Sequence, residues 1–344
     1  MAAPRKADGA DLAPVTITDV ARQAEVSPAT VSRVLNGSSP VSPVLAQRVE
    51  AAAAKLGYRP FGPARALRQQ RTRVWAAIVA DIENPFFTAV VRGIEDAAQR
   101  EDHRLVLCNS DEDVVKEAAY VDVAIAERMA GVVIAVASTT GSTLDELLDR
   151  QIPVVAIDRR PDRHDVDSVV IDNRFGSDQA TDHLLGAGAE QVACITGPTH
   201  LSTAVERLDG YRDALRRHGR RFDRALVRRA DFKEQGGYSA AVSLVSSRQP
   251  PDALFVANNL MTLGALRAVR EAGLRVPDDV LLVGFDDAPW TTMTSPQLTV
   301  VAQPTHEIGR VAAQLLASSG QASAPRHVIL SPSLVVRESS VRPG

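Results

Sequence analysis

The 344-residue sequence has only two cysteines. Cys108 and Cys194 each sit inside an apolar run, without CxxC or Cys/His spacing, so they read as small core residues and exclude a disulfide framework or zinc site. Long apolar runs are also missing: no stretch approaches the roughly 18 uninterrupted apolar residues that a membrane span needs. The opening MAAPRKADGADLAP lacks the apolar core of a signal peptide, which predicts a cytoplasmic protein. Catalytic motifs are absent too. The GAG at 186–188 fails as a dinucleotide fingerprint, since the last glycine is missing and the stretch closes a helix instead of following a strand. There is no GxSxG, HExxH or Walker A, and His183 and His306 fall on helical stretches without a nucleophile or metal partner at useful spacing. The expectation is a protein that is not an enzyme and uses no cofactor or metal.

What is present is an uneven distribution of charge. The formal net charge is −3, with 45% hydrophobic and 24% charged residues, an ordinary globular composition. Residues 1–72 hold ten Lys and Arg against five Asp and Glu, and the remainder holds 29 against 37. A basic head on an acidic body points to a polyanionic partner for the head alone.

Three helix-start signals punctuate that head. Thr16-Ile17-Thr18-Asp19 has the form of a capping box, followed by an apolar stripe of Ile17, Val20, Ala21 and Ala24. Ser27-Pro28 begins a second helix, whose inner stripe is Val31, Val34 and Leu35 and which stops at Asn36-Gly37. Ser42-Pro43 begins a third, lined by Leu45, Val49, Ala52 and Leu56 and ending at Gly57. Three short helices with a tight turn at Glu25-Val26 describe a helix-turn-helix unit. The second helix then turns Pro28, Ala29, Ser32 and Arg33 outward. Small residues permit close approach to a major groove, an arginine can fork onto guanine, and Ser27, Thr30 and Ser32 suit phosphate contacts.

Beyond residue 73, apolar runs alternate with amphipathic helical stretches, the pattern of parallel α/β layers. Asp81, Asn109, Ser138, Asp158, Thr196, Asn258 and Asp286 follow these runs and so stand at strand carboxyl ends, where an open parallel sheet places its ligand. Two sets of strands imply two lobes with a crevice between them.

TITDVARQAEVSPATVSRVLNG and AAAAKLGYRP, with NPFF, AGVVI, IPVVAIDR, RLDGY, GLRVPDDVLLVGFDD and SPQLTVVAQP, resemble the lactose/galactose repressor (LacI/GalR) family along essentially the whole chain. The resemblance implies a flexible tail at 1–14, a helix-turn-helix domain at 15–59 and a hinge at 60–73. It further implies a periplasmic-binding-protein-like effector domain, with an N-lobe of 74–172 and 304–331 and a C-lobe of 173–303 and 332–344. Relatives have Gly where Glu25 stands. By resemblance Thr16, Ser27, Pro28, Ala29, Thr30, Ser32, Arg33 and Asn36 meet DNA. In the hinge, Leu67 would wedge into the minor groove between Arg65 and Arg68, the helix forming only on DNA; Pro63 departs from the family pattern there. The effector pocket would comprise Phe86, Phe87, Asp158, Arg159, Arg207, Phe232, Asn258, Asp286 and Gln303. Its carboxylates and amides suit vicinal hydroxyls, its phenylalanines suit a sugar ring face, and Arg159 is expected as an extra donor on the rim that would tolerate an acidic or phosphorylated ligand. Leu201, where the purine-sensing branch has Arg, and Asn259, where Asp is usual, favour a sugar over a purine.

The expected function is therefore that of a ligand-responsive transcriptional repressor. It would bind a pseudo-palindromic double-stranded DNA operator as a homodimer, under the control of a small sugar-like effector and without a membrane partner. The alternatives are a solute-binding receptor with no DNA role and a regulator answering to a nucleoside or another metabolite.

Overall fold

The computed structural model describes residues 15–36, 41–58, 72–139, 143–162, 165–319 and 324–342. The chain divides into two compact units, 1–72 and 73–344.

The first unit holds α1 (Ile17–Ala24), α2 (Pro28–Asn36) and α3 (Pro43–Leu56). At the start of α1 the Asp19 carboxylate accepts the Thr16 backbone N–H at 3.0 Å and its hydroxyl at 2.6 Å. That closes the entry turn and holds the Asp19 pKa below the ordinary value. Glu25 ends α1 in the left-handed region, at φ +52°, a position where glycine is the strain-free residue. Arg48 on α3 ties this turn down, donating to the Ala24 carbonyl at 2.6 Å and to Glu25 at 3.3 Å. Ser27 caps α2 by accepting the Thr30 N–H at 3.1 Å. Val20, Ala21, Ala24, Val31, Val49, Ala52 and Ala53 form a small buried core, and Tyr58 closes it from beyond α3. Leu45, expected in the stripe of α3, is only half-buried.

The second unit is two α/β lobes. The N-lobe sheet contains β1 (Val74–Val79), β2 (Arg104–Asn109), β3 (Gly131–Ile134), β4 (Val154–Ile157), β5 (Asp167–Ile171) and β11 (His327–Leu330), in the order β11-β5-β4-β3-β1-β2. Every pairing in it is parallel. The C-lobe sheet contains β6 (Val192–Thr196), β7 (Val227–Arg229), β8 (Ala253–Val256), β9 (Leu281–Phe285), β10 (Thr299–Ala302) and β12 (Ser333–Val335). Its order is β12-β10-β9-β8-β6-β7, with only the β10–β12 pairing antiparallel. Helices α4 (Pro85–Arg100), α5 (Val114–Ala126), α6 (Thr143–Asp149) and α11 (Thr305–Ala317) flank the first sheet. Helices α7 (Asn173–Gly186), α8 (Ser202–Arg217), α9 (Glu234–Val245) and α10 (Asn259–Glu271) flank the second. The central strands are buried on both faces, which is why they read as unbroken apolar runs.

The chain passes between the lobes three times: after β5, after β10 and between β11 and β12. Helix α11 belongs to the N-lobe because it packs against α4 almost backbone to backbone. A Cβ at Gly93 would lie 2.2 Å from the His306 carbonyl oxygen, and one at Gly309 would lie 2.1 Å from that of Val90. The chain then returns to the C-lobe and straps down the β9–β10 edge. Arg337 forks onto Asp287 at 2.9 and 2.7 Å, and the buried Ser339 hydroxyl donates to Leu282 O at 2.6 Å.

Candidate functional site

On α2, Pro28, Ala29 and Arg33 are exposed together, as the helical spacing predicts, while Thr30 and Ser32 are half-buried. The Ser27 and Thr30 hydroxyls lie 2.9 Å apart, so in the free protein they satisfy one another. Thr16 is exposed and its hydroxyl donates to Asp19. Asn36 is the last residue of α2. Arg65, Leu67 and Arg68, with the expected tail at 1–14, lie outside the described residues.

The nine residues expected at the effector pocket line one cavity between the lobes, with about 460 Å³ of empty space counting its open mouth. The strand ends do most of this. Asp158 follows β4, Asn258 follows β8, Asp286 follows β9 and Gln303 follows β10, so parallel topology brings them to a common crevice. Asn109, Ser138 and Thr196 also follow or end strands but do not line it. Asn109 accepts the Ile82 N–H at 3.1 Å, and the buried Thr196 hydroxyl donates to Ala204 O at 3.0 Å. Phe86 and Phe87 enter from the first turn of α4, edge to face at 4.9 Å. Phe232 lines the cavity from the C-lobe at φ +61°, its ring laid against Gly197, where a Cβ would come within 2.3 Å. Asp158 and Asp286 also have positive φ, at +64° and +75°. With Glu112, at φ +60°, four such residues line one cavity, backbone strain concentrated at a site.

The charges in the cavity are held by protein partners. Arg207 is buried on α8, donating to Asn173 Oδ1 at 2.8 Å and to the Ala257 carbonyl at 2.6 Å, with its guanidinium 3.8 Å above the Phe285 ring. Burial lowers its pKa, against the pull of Asp286 and Asp158. Burial likewise raises the pKa of Asp158 and of Asp286, more than Arg159 and Arg207 offset. Gln303 donates to Asp286 Oδ1 at 2.6 Å. Asn258 is committed at both ends of its amide: Oδ1 accepts the Met261 N–H at 2.8 Å, capping α10, and Nδ2 donates to Phe232 O at 2.9 Å. It lines the cavity as a cap and strut, with its polar atoms already engaged.

One expectation is corrected. Arg159 is 3% exposed, not a rim donor, and its fork closes on Glu112 at 2.5 and 2.6 Å. Burial works against its charge, yet the Glu112 hydrogen bonds and nearby Asp158 hold its pKa above the ordinary value. Glu112 was not foreseen, nor were Asn84, Thr203, Asp231 and Lys233, which also line the cavity with Asp81. Asn84-Pro85 ahead of an apolar stretch is a cap signal that could have marked Asn84. Glu112 sits at φ +60° in a turn after β2, and nothing local announces its partner 47 residues on.

A helix-turn-helix unit joined to a two-lobed body with a polar interlobe cavity defines a ligand-sensing DNA-binding protein. Comparison with known proteins agrees. The model of the lacI family of bacterial regulatory proteins matches residues 16–60, and that of a periplasmic binding protein-like domain matches 181–340. The HTH-type transcriptional regulator DegA of Bacillus subtilis is 34% identical over 94% of this chain and 98% of its own length. The ribose operon repressor of Escherichia coli K12 is 34% identical over 88% of this chain and 92% of its own. Among solved structures, a lac repressor dimer bound to operator and the anti-inducer ONPF superposes with a TM-score of 0.84. That match has 28% identity and covers 96% of this chain and 100% of the other. The chain belongs to the lacI family of bacterial regulatory proteins and is a DNA-binding transcriptional regulator. No helix among the described residues is long and apolar enough to cross a membrane.

Proposed function

We propose that the chain is a cytoplasmic repressor, binding without catalysis, whose effector is an uncharged monosaccharide held in the interlobe cavity. The observation that carries the effector class is the chemistry of the lining. Phe86, Phe87 and Phe232 all line the cavity and give it apolar surface for the face of a ring. Around it stand the carboxylates of Asp158 and Asp286, both strong acceptors for hydroxyl donors. Each cation that could hold a phosphate is already paired: Arg159 with Glu112, Lys233 with Asp81, and Arg207 with Asn173 and a carbonyl. A sugar phosphate would enter a cavity with five acidic residues and three basic ones, none of the three unpaired. The relative that represses a ribose operon fits this class.

At the other end, α2 enters the major groove, with Arg33 reading a guanine and Pro28 and Ala29 in close contact. Thr16, Ser27, Thr30, Ser32 and Asn36 fix the phosphates, the Ser27–Thr30 pair opening to do so. Arg65, Leu67 and Arg68 form the minor-groove wedge, and a twofold dimer matches a pseudo-palindromic operator. The effector alters operator affinity through its unequal affinity for two arrangements of the body, with a coupling of about 1–3 kcal/mol. The test is a thermal-shift screen of the full chain with pentoses, hexoses, their phosphates and nucleosides, followed by operator titrations with each hit. Stabilisation by a neutral sugar and a changed operator affinity are expected. Stabilisation by a nucleoside or phosphate alone would overturn the effector class.

A further inference from the structure

Among the described residues, side-chain bonds join the lobes at the mouth of the cavity and deeper in. At the mouth, Lys233 Nζ donates to Asp81 Oδ2 at 2.6 Å, with Lys233 40% exposed. Deeper in, Asn259 is 1% exposed and opens α10 immediately after Asn258. Its Nδ2 donates to Asn84 Oδ1 in the N-lobe at 2.8 Å and to Asp286 Oδ2 in its own lobe at 3.2 Å. Its backbone N–H lies 3.4 Å from the same Asp286 oxygen. The orientation of this bridge is forced. Asn84 Oδ1 also accepts the Phe86 N–H at 3.0 Å as the cap of α4, so the Asn84 amide cannot flip to offer its NH2. Asn259 must therefore present its own NH2, and its Oδ1 is left buried with no hydrogen-bond partner. An unsatisfied buried carbonyl is a cost that the interlobe bond offsets.

We infer that Asn259 is a latch that holds the two lobes closed before any ligand arrives, anchored on the same Asp286 carboxylate that faces the cavity. The inference rests on reading this cleft as the effector site. The Lys233–Asp81 bridge is partly exposed and weakens with salt, whereas the Asn84–Asn259 bond is sheltered from it. The residue type is decisive. An aspartate here would set a third acceptor against Asn84 Oδ1 and the Asp286 carboxylate, and the bridge would be replaced by repulsion. A ligand hydroxyl reaching Asp286 then acts on a carboxylate already tied to the N-lobe, so occupancy and closure share one atom group.

The experiment needs neither ligand nor DNA, which separates its failure from failure of the sugar reading. Spin labels are attached to the full chain through Arg100→Cys on α4 and Arg221→Cys beyond α8, both exposed; the native Cys108 and Cys194 are buried and do not compete. Labelled chains are diluted with unlabelled ones so that distances within one protomer are read, by pulsed electron resonance at low salt and near 1 M salt. With Asn259 in place, one short-distance population is expected at both salts. Asn259→Asp should make a longer-distance population the major one at high salt. Asn259→Ser, which keeps a donor but is too short to span the gap, should do the same and serves if the aspartate variant does not fold. Unchanged distances in a folded variant at high salt would overturn the latch, as would a long-distance majority in the unsubstituted protein.

Discussion

On α2 the side chains proposed to read DNA stand clear of the protein. Arg33 is exposed with no protein partner among the described residues, and Pro28 and Ala29 add nothing that could hold it. In the interlobe cavity Arg159, Arg207, Asp286 and Asn258 are all buried and each is held by at least one neighbour of its own chain. The difference teaches how each surface gains selectivity. The helix relies on the partner to supply order, so one side chain contributes one contact. The cavity is organised in advance, so removing one group leaves its neighbours buried and unsatisfied.

The largest effect should therefore fall in the cavity. Asp286→Ala removes the acceptor of the Gln303 and Asn259 hydrogen bonds and the charge that favours buried Arg207, and stripping a buried charge of such a partner costs about 2–5 kcal/mol. Calorimetric titration should show effector affinity down by about thirtyfold or more, which 2 kcal/mol or more corresponds to. Operator binding without effector should survive; a retained effector response would remove Asp286 from the site. Next comes Arg33→Ala, which should weaken operator binding by about 1–3 kcal/mol and relax preference at one base pair per half-site. Equal losses on operator and scrambled duplex would turn Arg33 into a phosphate contact and blunt the contrast with the cavity.

Glu112→Gln is a smaller, sharper test. It releases one charge from the Arg159 fork while conserving shape, so sugar phosphates should gain about tenfold relative to neutral sugars, equivalent to 1.4 kcal/mol. No change in that ratio would show that Arg159 does not sense ligand charge. The slightest effect belongs to the head. Because the Thr16 contacts depress the Asp19 pKa in the folded protein, their stabilisation is complete above the unfolded value and disappears as pH falls through the folded one. Asp19→Asn should flatten that acid limb of α1 stability, followed by circular dichroism. An unaltered limb would mean that the capping box does not govern it.

The head was largely legible in the sequence because its signals are local. Thr16 to Asp19, Ser27-Pro28 and Ser42-Pro43 each act within one helical turn, and α1, α2 and α3 begin where they stand. The body was legible where strands are central. Val74–Val79, Val192–Thr196 and Leu281–Phe285 are buried on both faces and therefore continuous in hydrophobicity. Edge strands are not: Val227–Arg229 has a single apolar residue, and Ser333–Val335 is three residues long. Motif resemblance located the cavity residues. It did not foresee their pairings, because Glu112 with Arg159, Lys233 with Asp81 and Asn259 with Asn84 span 47, 152 and 175 positions. No periodic or capping pattern operates over such distances.

The three passages of chain between the lobes bear on how the molecule is made. β11 completes the edge of the first sheet from residues 327–330, and β12 completes the second from 333–335. On the ribosome, neither half can finish its sheet until residues 327–335 have emerged. The head needs nothing beyond Tyr58 for its core and so has the opportunity to fold early. During synthesis a folded DNA-reading unit would precede its regulator by well over two hundred residues of growing chain.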